Sequence, residues 1–321
     1  MEIDGKEIKL NSSQIDGVLR RLEESIKAEV EIEEKIKLWD YVELEKVYKE
    51  WILNQSKNDV NLAKWLPKMA EYSNGFSPGE VIIILAASSI GKTALLQNLI
   101  WQQKLPTIFF SCEMPEILTF QRALQIAKNQ TEKEIRADYL GGEEKPEYLF
   151  DGAKDCKLVF DRIDVEDICP LVRSYELKNN IKIRIIGIDY LGLLKGRKGK
   201  NRYEQTSEIV NTIKEVAKKT QTVVVLLCQI HRPEKVDILD FRPTLGSGKD
   251  TGDIENAGDY VFSLWIPDQS DPKQNPFNNL NLEILKNRRG QSNVIIPLHF
   301  EHKTQSIWQC PTIEMFESKQ G

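Results

Sequence analysis

The chain has 321 residues, of which 40% are hydrophobic and 29% charged, and its formal net charge is −5. A chain of this size can bury one large core and a smaller appendage, because domains usually contain roughly 100 to 200 residues. No apolar stretch approaches the ~18 residues that cross a bilayer, and the charged start MEIDGKEIKL does not resemble a secretion signal. These features exclude a membrane-spanning protein and lead us to expect a cytoplasmic one.

The acidic excess is confined to the N-terminal part of the chain. Residues 1–50 contain 14 acidic and 9 basic side chains, and the remainder is neutral. An acidic total therefore does not exclude nucleic-acid binding, which depends on local basic surface. The five cysteines form no CxxC pair, which indicates a reducing, intracellular environment.

Residues 1–75 are charged and helical in pattern. We expect Ser13 to cap a first helix, whose apolar side chains recur at spacings of three and four: Ile15, Leu19, Leu22 and Ile26. A second helix is predicted from Trp39 to Leu53. Such amphipathic helices either pack on their own domain or dock on a neighbouring subunit, and the pattern leaves both open. We place the domain boundary between residues 75 and 76.

From residue 79 onward, apolar runs typical of strands alternate with amphipathic segments. This alternation predicts an α/β fold, with a largely parallel sheet flanked by helices. Two late runs around Arg288-Arg289-Gly290 predict a C-terminal β-hairpin. The runs are residues 81–85, 107–112, 158–160, 183–188, 223–228 and 260–265, followed by 280–286 and 294–300.

A phosphate-binding loop follows the first of these runs and opens a helix-like segment. Its sequence is Ala86-Ala87-Ser88-Ser89-Ile90-Gly91-Lys92-Thr93, with Ala86 where the general consensus has glycine. Backbone N–H groups at such a helix N-terminus face an anion, Lys92 reaches the outer phosphates, and the Thr93 hydroxyl can ligate Mg²⁺. The alternative is a glycine-containing turn before a helix. We predict an NTP site, and its nucleotide-binding residues are Ala86, Ser88, Ser89, Ile90, Gly91, Lys92, Thr93 and Ala94.

Two carboxylates follow other apolar runs. Asp189 ends Ile185-Ile186-Gly187-Ile188-Asp189, and ligands bind at the carboxyl ends of strands in open α/β sheets. It is therefore predicted to complete the Mg²⁺ site with Thr93, the alternative being a helix cap. Glu113 follows the 107–112 run and is the best-placed group to polarise an attacking water. A surface acid or an N-cap would look the same in the sequence.

Several motifs succeed the phosphate loop in the order and approximate spacing found in DnaB-type replicative helicases. They are Ile108-Phe109-Phe110-Ser111-Cys112-Glu113-Met114-Pro115, Ile188-Asp189-Tyr190-Leu191, Leu227-Cys228-Gln229-Ile230-His231-Arg232 and Gly252-Asp253-Ile254-Glu255. Over about residues 73 to 310 the chain resembles the C-terminal RecA-like motor domain of that family. Members of the family also have alanine at the position of Ala86.

The resemblance implies ATP and Mg²⁺ as ligands and assigns roles around them. Glu113 is similar to the catalytic base, and Gln229 to the residue that senses the γ-phosphate, the alternative for Gln229 being a buried strand-end amide. Lys286 and Arg288 match cations that reach the nucleotide of an adjacent subunit. A solvated hairpin tip would carry basic residues as well. The family forms hexameric rings, so a homo-oligomer is implied.

Two segments are candidates for contacting single-stranded DNA. Residues 195–202 concentrate cations between glycines, which suits a phosphate backbone, although a solvated loop has the same composition. The resemblance places this segment at a pore loop. The second loop runs from Arg232 to Gly252, and Lys249-Asp250-Thr251-Gly252 within it resembles a channel-lining stretch of the family. The DNA-binding candidates are Lys195, Arg197, Lys198, Lys200, Arg202, Lys249, Asp250 and Gly252.

The N-terminal part departs from the family. Members normally carry a collar domain that recruits primase, and about 75 residues cannot contain it. We predict a helical extension or linker over residues 1–75, which either packs on its own domain or docks on a subunit, a loader or a host helicase. The leading hypothesis is an ATP-driven ring motor on single-stranded DNA. The alternatives are a RecA-like recombination or repair ATPase and a mobile-element protein that regulates a host helicase.

Overall fold

The computed structural model of the chain describes residues 2–3, 6–7, 20, 40–58, 60–142, 155–189, 191–194, 202–230, 241–247, 251–268 and 278–310. The chain divides into two compact units, Met1–Ser56 and Lys57–Gly321. In the first unit, β1 (Glu2–Ile3) pairs antiparallel with β2 (Lys6–Glu7).

Helix α1 covers Tyr41–Asn58, which confirms the helix predicted from Trp39 to Leu53. Asp40 caps it, because the Glu43 N–H donates to Asp40 Oδ1 at 2.8 Å and the Asp40 N–H donates to the Glu43 carboxylate. Apart from Arg20, the helix predicted to begin at Ser13 lies outside the described residues.

The second unit is built on one sheet, which has nine strands within the described residues. Its strands are β3 (Val81–Ala86), β4 (Thr107–Ser111), β5 (Cys156–Val159), β6 (Ile185–Asp189), β7 (Val223–Gln229), β8 (Tyr260–Trp265), β9 (Leu280–Asn287), β10 (Val294–Glu301) and β11 (Ser306–Gln309). Their spatial order is β11-β10-β9-β8-β3-β7-β6-β4-β5. Strands β3 to β8 pair in parallel, whereas β9, β10 and β11 pair antiparallel. The predicted parallel α/β sheet with a C-terminal hairpin is confirmed, and β11 extends that hairpin by a strand.

Helices cover both faces of the sheet. They are α2 (Lys92–Gln103), α3 (Glu116–Lys128), α4 (Glu132–Gly141), α5 (Ile168–Asn179), α6 (Arg202–Thr220) and α7 (Thr251–Ala257). The central strand β3 shows why two layers are needed: Ile82 and Ile84 pack in one core with α2, while Ile83 and Leu85 pack in the other with α5, α6 and α7. A strand buried on both faces reads as a continuous apolar run, as this one does.

The second unit begins earlier than the boundary expected after residue 75. Trp65 and Phe76 are buried, and the Trp65 indole N–H donates to the Ile307 carbonyl of β11 at 2.7 Å. Val60 pairs with Phe76 in an isolated antiparallel bridge. Residues from 60 onward are thus part of the core, because their apolar side chains cover the sheet face next to β11.

Candidate nucleotide-binding site

The predicted phosphate loop connects the C-terminal end of β3 to the N-terminal end of α2. Ser89 and Gly91 have φ angles of 63° and 106°, so the chain turns sharply before Lys92 begins the helix. A Cβ at Gly91 would lie 2.9 Å from Cε1 of Phe300 on β10, so glycine is needed there for packing as well as for the turn. Ala86 is fully buried, and its methyl group packs in the core. The loop therefore tolerates alanine at its first position.

Lys92 lies over this loop, and its Nζ donates to the Ala87 carbonyl at 3.0 Å. Burial lowers the pKa of Lys92, while the nearby carboxylates of Asp189 and Glu113 act in the opposite direction. Ser88 and Ser89 are exposed at the rim of the loop. The arrangement is that of an anion site, with a helix N-terminus and a buried ammonium on one side and solvent on the other.

Asp189 ends β6 beside the loop and is fully buried. Among the described residues, neither of its carboxylate oxygens has a hydrogen-bond partner of good geometry, although the Thr93 hydroxyl is close enough to favour the charged form. Burial nevertheless raises the pKa of Asp189 overall. A buried carboxylate without a partner needs an explanation, and a bound cation supplies one.

These residues fit a magnesium ion. Within the described residues, no cluster of three histidine, cysteine or acidic side chains could hold a metal alone. Mg²⁺ needs no such cluster, because it commonly binds one or two protein oxygens together with substrate phosphates and water. Thr93 and Asp189 would hold it beside the phosphates, where it would neutralise their charge.

Glu113 lies next to Asp189 because strands β4 and β6 are neighbours. Ser111 pairs with Asp189 across the two strands, and the Cys112 N–H donates to the Asp189 carbonyl at 3.1 Å. Glu113 follows directly and is exposed, so a solvent molecule can reach it. The structure therefore brings Glu113 and Asp189, which follow or end separate strands, close to Lys92 at the start of α2.

Arg122 on α3 was not singled out in the sequence. It is half-buried, and burial lowers its pKa, while the carboxylates of Asp189 and Glu113 raise it. The helix orients it: Thr119, one turn earlier on the same face, is buried against Ser111 of β4 with 3.2 Å between their hydroxyl oxygens. Helical periodicity from Thr119 points Arg122 toward the site, but one arginine in an amphipathic helix is too common to single out.

Gln229 ends β7 in register with Ala86, the first residue of the loop. The next N–H, that of Ile230, donates to the Ala86 carbonyl at 3.0 Å. Gln229 is half-buried, so it is accessible to a ligand on the loop. Gln229 therefore lies beside the phosphate loop.

Lys286 and Arg288 lie at the other edge of the sheet. Strand β9 runs antiparallel to β8, so Asn287 pairs with Tyr260 at the beginning of β8, while the loop follows the end of the parallel strand β3. Six residues of β3 separate the two edges by roughly 17 Å. An arginine side chain cannot span that distance, so these two cations do not reach the phosphate loop of their own chain.

The predicted DNA segments lie largely outside the described residues. These are Lys195, Arg197, Lys198, Lys200, Lys249 and Asp250, whereas Arg202 begins α6 and Gly252 lies in α7. The last described residues before the segment 195–202 and before the loop from Arg232 to Gly252 are Leu194 and Ile230; both are buried, and they follow β6 and β7. Both loops therefore start at the edge of the sheet that carries the phosphate loop.

A parallel sheet with a phosphate loop, a buried strand-end carboxylate and an adjacent strand-end glutamine defines a RecA-like nucleotide-binding domain. The chain belongs to the family of DnaB-like helicase C-terminal domains, whose model matches residues 62–308.

Named relatives agree with this assignment. The chain is 30% identical to the replicative DNA helicase DnaB of Treponema pallidum over 223 residues, covering 64% of this chain and 48% of the relative. It is 28% identical to the replicative DNA helicase DnaC of Bacillus subtilis over 250 residues, covering 74% and 54%. The chain thus spans about half the length of the curated relatives that it matches.

Solved structures show the same fold. One solved ATPase domain superposes with a TM-score of 0.70 at 22% identity, over 84% of this chain and 97% of that one. A DnaB-like replicative helicase, described with its interactions with primase, gives 0.69 at 21% identity over 92% and 74%. Within the described residues, no helix is both long and apolar enough to span a bilayer.

Proposed function

We propose that the protein is an ATP-dependent, DnaB-like motor that translocates on single-stranded DNA and hydrolyses ATP between subunits of a homo-hexameric ring. The observation that supports this proposal is the separation, within one chain, of the two groups of residues that the reaction requires. Lys92, Asp189 and Glu113 lie at one edge of the sheet, and Lys286 and Arg288 lie at the other. A second copy of the chain is then needed to complete each hydrolytic pocket.

At such an interface, one subunit supplies the phosphate loop and the other supplies the cations. Lys92 holds the outer phosphates, Thr93 and Asp189 hold Mg²⁺, and Glu113 orients and deprotonates the attacking water. Arg122 lies on the same subunit, and its positive charge partly neutralises the carboxylates of Asp189 and Glu113. Arg288 of the adjacent subunit stabilises the charge that develops on the phosphates, which is how such arginine fingers act in other NTPases.

DNA binding is assigned to residues 195–202 and 249–252. Support comes from the cations of these segments and from the sheet edge beside Asp189 and Gln229, after which the first segment and the loop containing the second one begin. Loss of the γ-phosphate would thus remove a contact of Gln229, and this change would occur next to the start of both loops. We further propose that residues 1–56, which form the first unit, dock on a neighbouring subunit, a loader or a host helicase.

The test uses two complementary defects in the full chain. Glu113→Gln leaves the cations intact but disables the pocket, whereas Arg288→Ala leaves the pocket intact but removes the arginine finger. Each variant alone should hydrolyse ATP at a rate roughly 10³-fold or more below wild type in the presence of single-stranded DNA. Mixed subunits should regain single-turnover hydrolysis, because some interfaces then combine an intact pocket with an intact finger.

The matched control is Arg136→Ala, which removes an exposed arginine from α4 and should hydrolyse ATP as wild type does. The oligomeric state of each variant is measured with an ATP analogue and single-stranded DNA. An Arg288→Ala protein with normal stimulated turnover, or a strictly monomeric wild type under these conditions, contradicts the proposal.

A further inference from the structure

Asp259 is a buried carboxylate at the edge of the sheet opposite the phosphate loop. Its side chain is 3% exposed and lies directly before β8. It accepts a hydrogen bond from the Val81 N–H at 2.9 Å, and its own N–H donates to the Val81 carbonyl at 2.9 Å. Asp259 is thereby fixed to the first residue of β3. Nothing in the linear pattern of residues singled it out.

Asp259 binds Arg288 through both its side chain and its backbone. Arg288 Nη1 donates to Asp259 Oδ1 at 2.6 Å, and the Arg288 N–H donates to the Asp259 carbonyl at 3.1 Å. The Arg288 side chain nevertheless remains 67% exposed. Because a guanidinium has five N–H donors in a rigid plane, Asp259 can bind one edge of it while the donors on the other edge remain exposed to solvent.

Asp259 also balances a local concentration of positive charge. Lys214 of α6 forms an ion pair with its other oxygen, Oδ2. Lys286 lies near by, and its Nζ donates to the Glu255 carbonyl in the last turn of α7 at 2.8 Å. Burial lowers the pKa of Lys286, as do Arg288 and Lys214, whereas Asp259 and Glu255 raise it. Asp259 is thus the buried anion among three cations.

We propose that Asp259 is a positioning residue for Arg288, orienting its free guanidinium edge toward the triphosphate bound by the adjacent subunit. The inference rests on the proposed function, because it requires Arg288 to act in trans. Asp259 itself touches neither substrate nor reacting atoms. Its effect is exerted by aligning a donor before the partner arrives, which reduces the ordering that the transition state would otherwise require.

A double-mutant cycle in the full chain tests this role. Asp259→Asn should lower kcat for DNA-stimulated hydrolysis about 10- to 100-fold, as loss of an orienting partner commonly does. The affinity of the phosphate loop for an ATP analogue should stay within about twofold of wild type, because the loop lies at the opposite edge of the sheet. In an Arg288→Ala background, Asp259→Asn should change kcat by less than about twofold.

A general structural role predicts a different pattern. Asp259→Asn would then lower kcat by the same factor in both backgrounds or weaken nucleotide binding in parallel, and either result overturns the inference. Lys214→Gln is the matched control, since it removes the other cation on Asp259 and should leave kcat unchanged. If Arg288→Ala alone retains full turnover, the proposed function is wrong. If Asp259→Asn instead lowers kcat by the same factor in both backgrounds, only the positioning role of Asp259 is wrong.

Asp259→Glu provides a second variant in case the asparagine protein does not fold. It preserves the negative charge among the three cations but displaces the carboxylate by one methylene group. We expect it to lower kcat with little change in melting temperature, again only when Arg288 is present. A glutamate variant with wild-type kcat contradicts positioning, because orientation and not charge alone is what Asp259 is inferred to supply.

Discussion

Ala86 and Gln229 are register partners across the parallel strands β3 and β7, and each is the last residue of its strand. The first leads into the phosphate loop and the second into residues 231–240. One pair of neighbouring strand ends therefore joins the nucleotide site to a segment that leads toward the residues we assign to DNA binding. This pairing is what makes Gln229 a candidate relay between the two ligands.

We expect Gln229→Ala to uncouple hydrolysis from DNA. The truncated side chain no longer reaches the terminal phosphate, so the stimulation of turnover by single-stranded DNA should fall at least about tenfold while analogue affinity changes little. ATPase assays with and without DNA measure this ratio. The control is Gln309→Ala at the end of β11, whose carboxamide oxygen accepts from the Lys68 N–H. Equal stimulation in the Gln229 variant and in wild type would contradict the relay.

Replacing Asp189 should stabilise the protein while abolishing its activity. Its folded-state pKa is raised above the ordinary value of 3.8, so the native state retains a proton that the unfolded state has already released. Stability therefore falls as the pH rises through the window above 3.8 and stays lower at neutral pH. Asp189→Asn should remove this loss and raise the free energy of unfolding by about 1–3 kcal/mol at pH 7 without nucleotide.

Asp138 provides a control, because its pKa is shifted in the opposite direction from that of Asp189. It pairs with Lys128 at 2.7 Å, and this hydrogen bond lowers its pKa, so its contribution is present above pH 3.8 and is lost as the pH falls through the lowered value. Asp138→Asn should therefore slightly destabilise the protein at neutral pH. Urea denaturation of both variants from below pH 3.8 up to pH 8 distinguishes them, because this range covers the pH dependence of both carboxylates. A destabilised Asp189→Asn protein would contradict the expectation that this buried carboxylate lowers the stability of the nucleotide-free protein.

Gly91→Ala should weaken both folding and nucleotide binding. A left-handed conformation costs roughly 1–2 kcal/mol for an alanine, and here the new Cβ also meets Phe300 at 2.9 Å. Gly142 is the matched control, because its φ is 73° but nothing lies within 4 Å of an added Cβ. Gly142→Ala should thus show the backbone cost alone. If the two variants have the same urea midpoint, the Phe300 ring moves aside without a loss of stability, and the packing argument is wrong.

Arg122→Ala should slow hydrolysis more than it weakens binding. It removes a cation close to Asp189 and Glu113, so the two carboxylates repel each other and the developing phosphate charge loses a partner. We expect kcat to fall roughly 10²- to 10³-fold, as for the loss of one donor in other active sites. Arg122→Lys keeps the charge without the planar fork and should retain part of the rate. Unchanged turnover in Arg122→Ala would remove Arg122 from the site.

The linear sequence was sufficient for the elements whose signals are local. The loop from Ala86 to Thr93 and the strand ending in Asp189 carry their chemistry within a few consecutive residues, because helix N-termini and strand ends are built from neighbours in the chain. The apolar run 81–85 was likewise predicted as a strand, since its burial on both faces makes every position hydrophobic. Arg122 carried no comparable signal, for it reaches the site only through the packing of α3.

What the sequence by itself determined was the α/β class, the family resemblance and the position of the loop between β3 and α2 for which we predict phosphate binding. Only the tertiary structure decided that residues from 60 onward belong to the core, that Asp259 holds Arg288, and that Arg288 lies at the edge of the sheet away from its own phosphate loop. These relations join residues that lie far apart in the chain. They depend on strand order and direction, which the spacing of apolar residues along one strand does not encode.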